Sequence, residues 1–106
     1  MARRSKPKSR EDVEALLISE FTSLPDDALA ALSPLVVSLQ PLVTGAGPGS
    51  DGLSYWLVAR DGDRVLYWDS VEEEFATGEL SDQDLTNISL CGERLEWCVR
   101  RFVGKH

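Results

Sequence analysis

The feature that most constrains the fold of this chain is a pair of aromatic and β-branched segments around the dipeptide Asp61-Gly62. The first segment reads YWLVAR from Tyr55, and the second reads RVLYWD to Asp69. Such residues favour strands, and an Asp-Gly pair between two of these segments is typical of a two-residue type I′ turn. The sequence therefore predicts an antiparallel β-hairpin over Tyr55 to Asp69, with Asp61 and Gly62 as its turn.

The register set by this turn leaves the hairpin apolar on both faces. Val58 would pair with Val65, and Trp56 with Tyr67, so that these four residues share one face. The other face would carry Tyr55, Leu57, Leu66 and Trp68. Such a hairpin must be covered on both sides, or one side must serve as a binding surface.

Helical signals precede the hairpin. Ser9 and Asp12 form an S-x-x-D capping box, which predicts a helix over residues 10–23. Its apolar stripe would consist of Val13, Leu16, Leu17 and Leu24. A second helix is predicted to begin within residues 23–26, and a short turn or helix to run over residues 33–40.

After the hairpin, the sequence predicts a short strand over residues 74–77, a turn at Gly78 and a polar loop over residues 81–87. A closing helix is predicted over residues 92–103, with Gly104 as its C-terminal cap. Its core-facing stripe would consist of Cys91, Leu95, Cys98, Val99 and Phe102.

Together these elements predict an α+β fold: N-terminal helices, a central antiparallel β-hairpin or small sheet, and a C-terminal helix packed on the sheet. A length of 106 residues fits one such domain. We expect residues 10–106 to form a single α+β domain. Residues 1–9 have no apolar side chain larger than proline after Met1, and we expect them to form a basic, disordered arm.

Charge is distributed unevenly between this arm and the rest of the chain. Five basic residues precede the first acid, Glu11, whereas residues 11–106 carry 6 basic and 18 acidic side chains, a net of −12. Such a field repels phosphate backbones and favours a basic protein partner. Nucleic acid is therefore not expected to bind, except through the basic residues of the 1–10 segment.

No part of the sequence predicts a membrane or secretion signal. No apolar run approaches the roughly 18 residues that a membrane-spanning helix needs. The basic N-terminus is followed by Glu11 and Asp12 instead of the apolar segment of a signal peptide. We expect a cytoplasmic protein with no membrane partner.

Residues for catalysis or metal binding are scarce. The only histidine is His106, which disfavours Ser-His-Asp or Cys-His catalysis and histidine-anchored metal sites. Cys91 and Cys98 lie seven residues apart in a predicted helix, which would separate their backbones by about 10 Å, too far for a disulfide. We expect both to be reduced core residues. The sequence thus predicts a non-enzymatic protein without cofactor or metal.

Residues 47–52 read GPGSDG and match the dinucleotide-binding pattern G-x-G-x-x-G. That motif requires a strand before the glycines and a helix after them, because the helix N-terminus binds the pyrophosphate. Here a predicted strand follows the glycines. We therefore interpret residues 41–52 as a plain loop.

Two features are candidates for contact with a partner. Glu72, Glu73 and Glu74 form an acidic run, which is either a solvated surface or a patch for a basic partner. Trp97 lies nearly opposite the apolar stripe of the closing helix, so it is either covered by a loop, such as residues 41–52, or exposed as an anchor at an interface.

Three segments resemble the SUKH superfamily of small α+β domains, many of which are bacterial immunity proteins against secreted toxins. They are Leu24-Pro25-Asp26-Asp27 at a helix start, the aromatic hairpin Tyr55 to Asp69, and the closing helix Leu95 to Phe102, together about a third of the chain. The resemblance implies a class of function, a non-enzymatic module that binds another protein.

Three functions remain open at this point. The first is an acidic protein-binding module, such as an immunity or inhibitor protein that covers a basic surface of a toxin or enzyme. The second is a small-ligand or enzymatic domain with a site between the hairpin and the 41–52 loop. The third is an accessory subunit tethered to nucleic acid by its basic arm.

The arm provides a first test. Because residues 1–9 are charged and lack core-forming side chains, their backbone order parameters should fall below about 0.6, the range of flexible backbone. NMR relaxation of the full chain measures these values. Order parameters equal to those of the closing helix would contradict the prediction.

Overall fold

The protein, described here by a computed structural model of residues 9–104, is built on a five-stranded antiparallel sheet. The helices are α1 (Arg10–Ser23), α2 (Asp26–Leu32) and α3 (Leu95–Gly104). The strands are β1 (Val36–Pro41), β2 (Tyr55–Asp61), β3 (Arg64–Asp69), β4 (Glu74–Ser81) and β5 (Asp84–Gly92), which lie in the sheet in chain order. The predicted α+β class, with N-terminal helices, an antiparallel sheet and a C-terminal helix, is confirmed.

Helix α1 begins at the predicted capping box. The Ser9 hydroxyl accepts a hydrogen bond from the Asp12 amide at 3.2 Å, and the Asp12 carboxylate accepts one from the Ser9 amide at 3.3 Å. These bonds satisfy two amides that the first helical turn leaves free. Ser9, the last residue of the predicted arm 1–9, is thus the N-cap of α1. Residues 1–8 lie outside the described residues, so their disorder stays a prediction.

The main core lies between the three helices and one face of the sheet. Leu95, Cys98, Val99 and Phe102 of α3 are fully buried, which confirms most of the predicted stripe. The sheet contributes Trp56, Val58, Leu66, Trp68 and Phe75, and the other two helices contribute Val13, Leu17, Leu24, Ala28 and Leu32. Burial of these side chains is the main term that stabilises the fold.

Polar contacts hold α3 at both ends. At its start, the Glu20 carboxylate of α1 accepts hydrogen bonds from the Leu95 amide at 3.0 Å and from the Arg94 guanidinium at 3.3 Å. Near its end, the Arg64 guanidinium of β3 donates to the Arg101 carbonyl at 3.1 Å. An acid at the N-terminus and a base at the C-terminus both complement the helix dipole.

The second face of the sheet is covered by the loop between β1 and β2. Leu42 of this loop packs with Tyr55, Leu57, Val65, Tyr67 and Ala76 of the sheet. The loop lies so close that a Cβ at Gly49 would be 2.6 Å from Cδ2 of Tyr55. Gly49 of the G-x-G-x-x-G match is therefore explained by packing, and both faces of the hairpin are covered.

The predicted register of the hairpin is wrong, by two residues next to the turn and by one residue beyond the irregularity between Leu57 and Ala59. Gly62 and Asp63 form the turn, so that Trp56 lies opposite Trp68. A type I′ turn at Asp61-Gly62 would need a positive φ at both residues, but only Gly62 has one, at 63°. Trp56 and Val58 therefore share the helix-covered face with Leu66 and Trp68 instead of with Val65 and Tyr67.

Three other predicted elements differ from the structure. Residues 36–40 belong to strand β1 instead of a helix, because Val36 to Pro41 pair with β2. Strand β4 continues through Gly78, where a turn was expected, and most of the predicted loop 81–87 belongs to β5. Cys91 lies near the end of β5, and the closing helix begins at Leu95 instead of residue 92.

Both edge strands of the sheet are irregular. The pairing of β1 with β2 shifts register between Val36 and Gln40, and β1 ends at Pro41. The pairing of β5 with β4 shifts register twice, and Asn87 of β5 has a φ of 54°. Each edge is therefore interrupted by a bulge or irregularity.

The burial of residues in α3 predicts how substitutions in this helix change the free energy of unfolding. Phe102→Ala should lower the free energy of unfolding by about 3–5 kcal/mol, because it removes a fully buried ring and leaves a cavity. Arg100→Ala, at an exposed position of the same helix, should cost less than about 0.5 kcal/mol. Urea unfolding measures both values, and equal midpoints would contradict the placement of α3.

Candidate functional site

A groove runs between the β3–β4 turn and the start of α3. Its volume is about 690 Å³, and it is lined by residues 71–74 and 92–94 together with Trp97. It forms because Phe75 of β4 pairs with Gly92 of β5, which brings the β3–β4 turn beside the chain that enters α3. The acidic run Glu72–Glu74 and Trp97, predicted separately from the sequence, thus lie in one groove.

The β3–β4 turn is shaped by Asp69. Its carboxylate accepts hydrogen bonds from the amides of Val71 at 2.9 Å and Glu72 at 3.1 Å. The side chain is buried, and this desolvation raises the pKa of Asp69 despite the two hydrogen bonds. Asp69 therefore fixes the backbone that carries the three glutamates.

The three glutamates are not equivalent. Glu74 is half-buried, and its carboxylate accepts a hydrogen bond from the Gly92 amide at 2.9 Å, which ties β4 to the end of β5. Glu72 and Glu73 are exposed, and within residues 9–104 their carboxylates form no hydrogen bond or ion pair. Glu74 thus has a structural role, while Glu72 and Glu73 are available to a partner.

Trp97 forms the apolar wall of the groove. Its side chain is 58% exposed, and its ring packs against Gly92, where a Cβ would lie 2.8 Å from two ring carbons. Gly92 also has a φ of 94°, which other residues rarely adopt. The alternative in which the 41–52 loop covers Trp97 is wrong, because that loop covers the opposite face of the sheet.

The groove has a strongly negative charge. Among residues 9–104, four glutamates line it, Glu72 to Glu74 and Glu93, and Arg94 is the one cationic side chain in its wall. Arg94 is paired with Glu20, with 3.3 Å between its Nε and the carboxylate oxygen. The field in the groove therefore attracts cations, since one arginine that is already paired does not offset four acids.

The structure also contains the place that the second predicted function would use. A cavity of about 280 Å³ lies between residues 44–48 of the loop, Tyr55 and the β4–β5 turn. This volume falls just below the roughly 300–1,000 Å³ of ordinary ligand pockets. The Thr44 hydroxyl that lines it already donates to the Ala46 carbonyl at 2.7 Å. The cavity thus gives weaker support for a function than the groove does.

Metal-binding and membrane-spanning features are not found among the described residues. Residues 9–104 contain no cluster of three or more His, Cys, Asp or Glu side chains that could hold a metal ion. In the same part of the chain, no helix has the length and apolar composition needed to cross a membrane. The basic residues at positions 3–8, on which the nucleic-acid alternative depends, lie outside it.

Two residues of the groove, Gly92 and Glu93, were not predicted from the sequence to belong to a site. Gly92 was placed inside the closing helix, and Glu93 was not singled out. The signal that could have found Gly92 is the glycine itself, because glycine weakens a helix and often marks a turn.

Comparison with known proteins gives no relative from which a function could be inferred. No protein-family model, no curated protein and no solved structure matches the chain.

The role of Asp69 in stabilising the β3–β4 turn can be tested by substitution. Asp69→Ala should lower the free energy of unfolding by about 1–3 kcal/mol, because the amides of Val71 and Glu72 lose their acceptor. Asp69→Asn keeps a side-chain oxygen and should cost less. Urea unfolding of both variants measures the difference, and equal losses would contradict this role of Asp69.

The difference in stability between the wild type and Asp69→Asn should depend on pH. Because the folded-state pKa of Asp69 is raised, ionisation of Asp69 opposes folding. As pH rises from about 4 through the folded-state pKa, the wild type should therefore lose stability relative to Asp69→Asn, and the difference should then stay constant. A difference that moves in the opposite direction would contradict the raised pKa.

Proposed function

We propose that the protein is a non-enzymatic, cytoplasmic, acidic protein-binding module of the immunity or inhibitor class, and that the groove beside Trp97 receives a basic segment of its partner. The observation that carries the proposal is the position of a tryptophan that is 58% exposed within a groove lined by four glutamates. Exposed aromatic surface is typical of an interface, and acids around it can form a charged rim that attracts a basic partner.

Charge supports a basic partner. Residues 9–104 carry 6 basic and 18 acidic side chains, and Glu72, Glu73 and Glu93 add exposed negative charge where Trp97 adds apolar surface. Long-range attraction between opposite charges speeds encounter, whereas a desolvated aromatic contact slows dissociation. The groove thus offers both a steering and an anchoring element.

The chemistry of Trp97 favours arginine or lysine as the group that it contacts. A cation over the face of an indole ring is attracted by the ring quadrupole, and arginine can also stack on the ring. Glutamate carboxylates at the rim can accept hydrogen bonds from the same cation. The proposed class of partner, a toxin or enzyme with a basic surface, agrees with the resemblance to SUKH immunity proteins.

The partner can be sought with matched variants of the chain as baits in a lysate of the cells that produce it. The groove variants are Trp97→Ala and the double reversal Glu72→Lys with Glu73→Lys. Glu74 is left unchanged because its carboxylate binds the Gly92 amide. The controls are Leu53→Ala, an apolar residue 57% exposed in the β1–β2 loop, and Glu79→Lys with Asp84→Lys, exposed acids outside the groove.

A specific partner should be captured by the wild type and both controls and should be depleted from both groove variants. If the partner is a toxin, co-expression with the wild type should relieve its growth inhibition more than co-expression with Trp97→Ala. Equal capture by all variants would remove the groove from the interface. A strongly acidic partner would contradict the electrostatic argument.

Binding kinetics with that partner distinguish charge steering by Glu72 and Glu73 from apolar anchoring by Trp97. The double reversal should slow association by about tenfold at low salt, and added salt should reduce this difference. Trp97→Ala should cost about 2 kcal/mol, which is a roughly 30-fold faster dissociation, with little dependence on salt. Surface-binding measurements at two salt concentrations give both rates.

A further inference from the structure

The two cysteines of the chain are in direct contact. Cys91 lies near the end of β5 and Cys98 lies on the buried face of α3, and their Sγ atoms are 2.7 Å apart. The expected separation of about 10 Å is therefore wrong, because it placed both residues in one helix. The chain instead reverses direction between Gly92 and Arg94, which folds α3 back onto the strand.

We propose that Cys91 and Cys98 are a redox-active thiol pair that forms a reversible intramolecular disulfide by exchange with a low-molecular-weight disulfide. The two sulfurs need to approach by about 0.7 Å to reach the length of an S–S bond, about 2.05 Å. A movement this small lies within ordinary side-chain motion.

The surroundings of the two thiols assign different roles to them. Cys91 is half-buried and Cys98 is fully buried in the core, so Cys91 is the more accessible of the two to an external disulfide. The Cys98 thiol donates a hydrogen bond to the sulfur of Cys91, and this bond and the positive charge of Arg101 lower the pKa of Cys91. Cys91 is thus the attacking thiol, and Cys98 is the resolving thiol.

The exchange proceeds in two steps. The Cys91 thiolate attacks one sulfur of the external disulfide, which forms a mixed disulfide and releases one external thiolate that takes up a proton. The Cys98 thiol then loses its proton and attacks the sulfur of Cys91, which releases the second external thiol. In sum, the two protein thiols lose two protons and two electrons, and the external disulfide gains them as two thiols.

Zinc binding is the other chemistry that a pair of cysteines suggests, but it needs more ligands. Structural zinc sites use four ligands, and residues 9–104 contain no group of three or more candidate side chains. Arg101, the charged neighbour of the pair, is bound to the hydroxyl of Ser89 and is not a metal ligand. The geometry therefore favours redox chemistry over metal binding.

The test uses the full chain, purified reduced and incubated without oxygen in buffers with a series of ratios of reduced to oxidised glutathione. Free thiols are then blocked with N-ethylmaleimide, and the products are identified by intact mass and by tryptic peptides. Cleavage after Arg94 places the two cysteines on different peptides, so a disulfide between them appears as a cross-linked pair.

We expect both thiols to be lost together in a monomer whose mass is about 2 Da below that of the reduced chain, as a two-electron oxidation requires. In native buffer the pair should oxidise at a glutathione ratio at least about tenfold more reducing than in urea, because the fold holds the sulfurs together. Equal midpoints in the two conditions, glutathione adducts without a disulfide, or dimers linked through cysteine would overturn the proposal.

Two variants test the assigned roles. In Cys98→Ala, Cys91 should accumulate as a stable mixed disulfide with glutathione, while in native Cys91→Ser the buried Cys98 should stay unmodified at every ratio. The opposite pattern would overturn the assignment of Cys91 as the attacking thiol. The wild-type titration needs neither variant, so it decides the proposal even where a variant fails to fold.

Discussion

The packing of α3 against the sheet is the interaction on which the rest of the structure depends. Leu95, Cys98, Val99 and Phe102 are fully buried and close the main core between the helices and the sheet. Glu20 binds the start of the helix and Arg64 binds near its end, so the position of α3 along its axis is fixed as well as its buried face. Both the groove and the cysteine contact are consequences of that position.

Both faces of the sheet need to be covered by neighbouring segments of the chain. Because the hairpin carries large apolar side chains on both faces, the helices cover one face and the β1–β2 loop must cover the other. The close approach of this loop to Tyr55 accounts for Gly49. The central glycine of a sequence pattern that resembles a nucleotide-binding motif is thus a requirement of packing.

The features predicted correctly from the sequence are those that depend on local signals. The capping box of Ser9 and Asp12 set the start of α1, and helical periodicity identified the buried residues of α3. Features that depend on contacts between distant residues were not predicted. Residues 36–40 form a strand that pairs with β2. The β-branched Val36 and Val37 favour a strand, but the start signal at Ser33 and Pro34 predicted a short turn or helix over this segment.

For the candidate site, too, the residue types could be predicted from local sequence, whereas their proximity could not. The residue types Glu72 to Glu74 and Trp97 stood out in the sequence because of their charge and their place on a helix. Their proximity did not, since it depends on the pairing of Phe75 with Gly92 and on the reversal after β5. The contact of Cys91 with Cys98 was hidden for the same reason.

The irregular edges of the sheet have a consequence for self-association. A regular unpaired strand offers a row of amides and carbonyls on which another chain can assemble into a continuous sheet. Here Pro41 lacks an amide hydrogen at the end of β1, and the backbone of β5 is distorted at Asn87. Edge-to-edge polymerisation through these strands is thereby disfavoured.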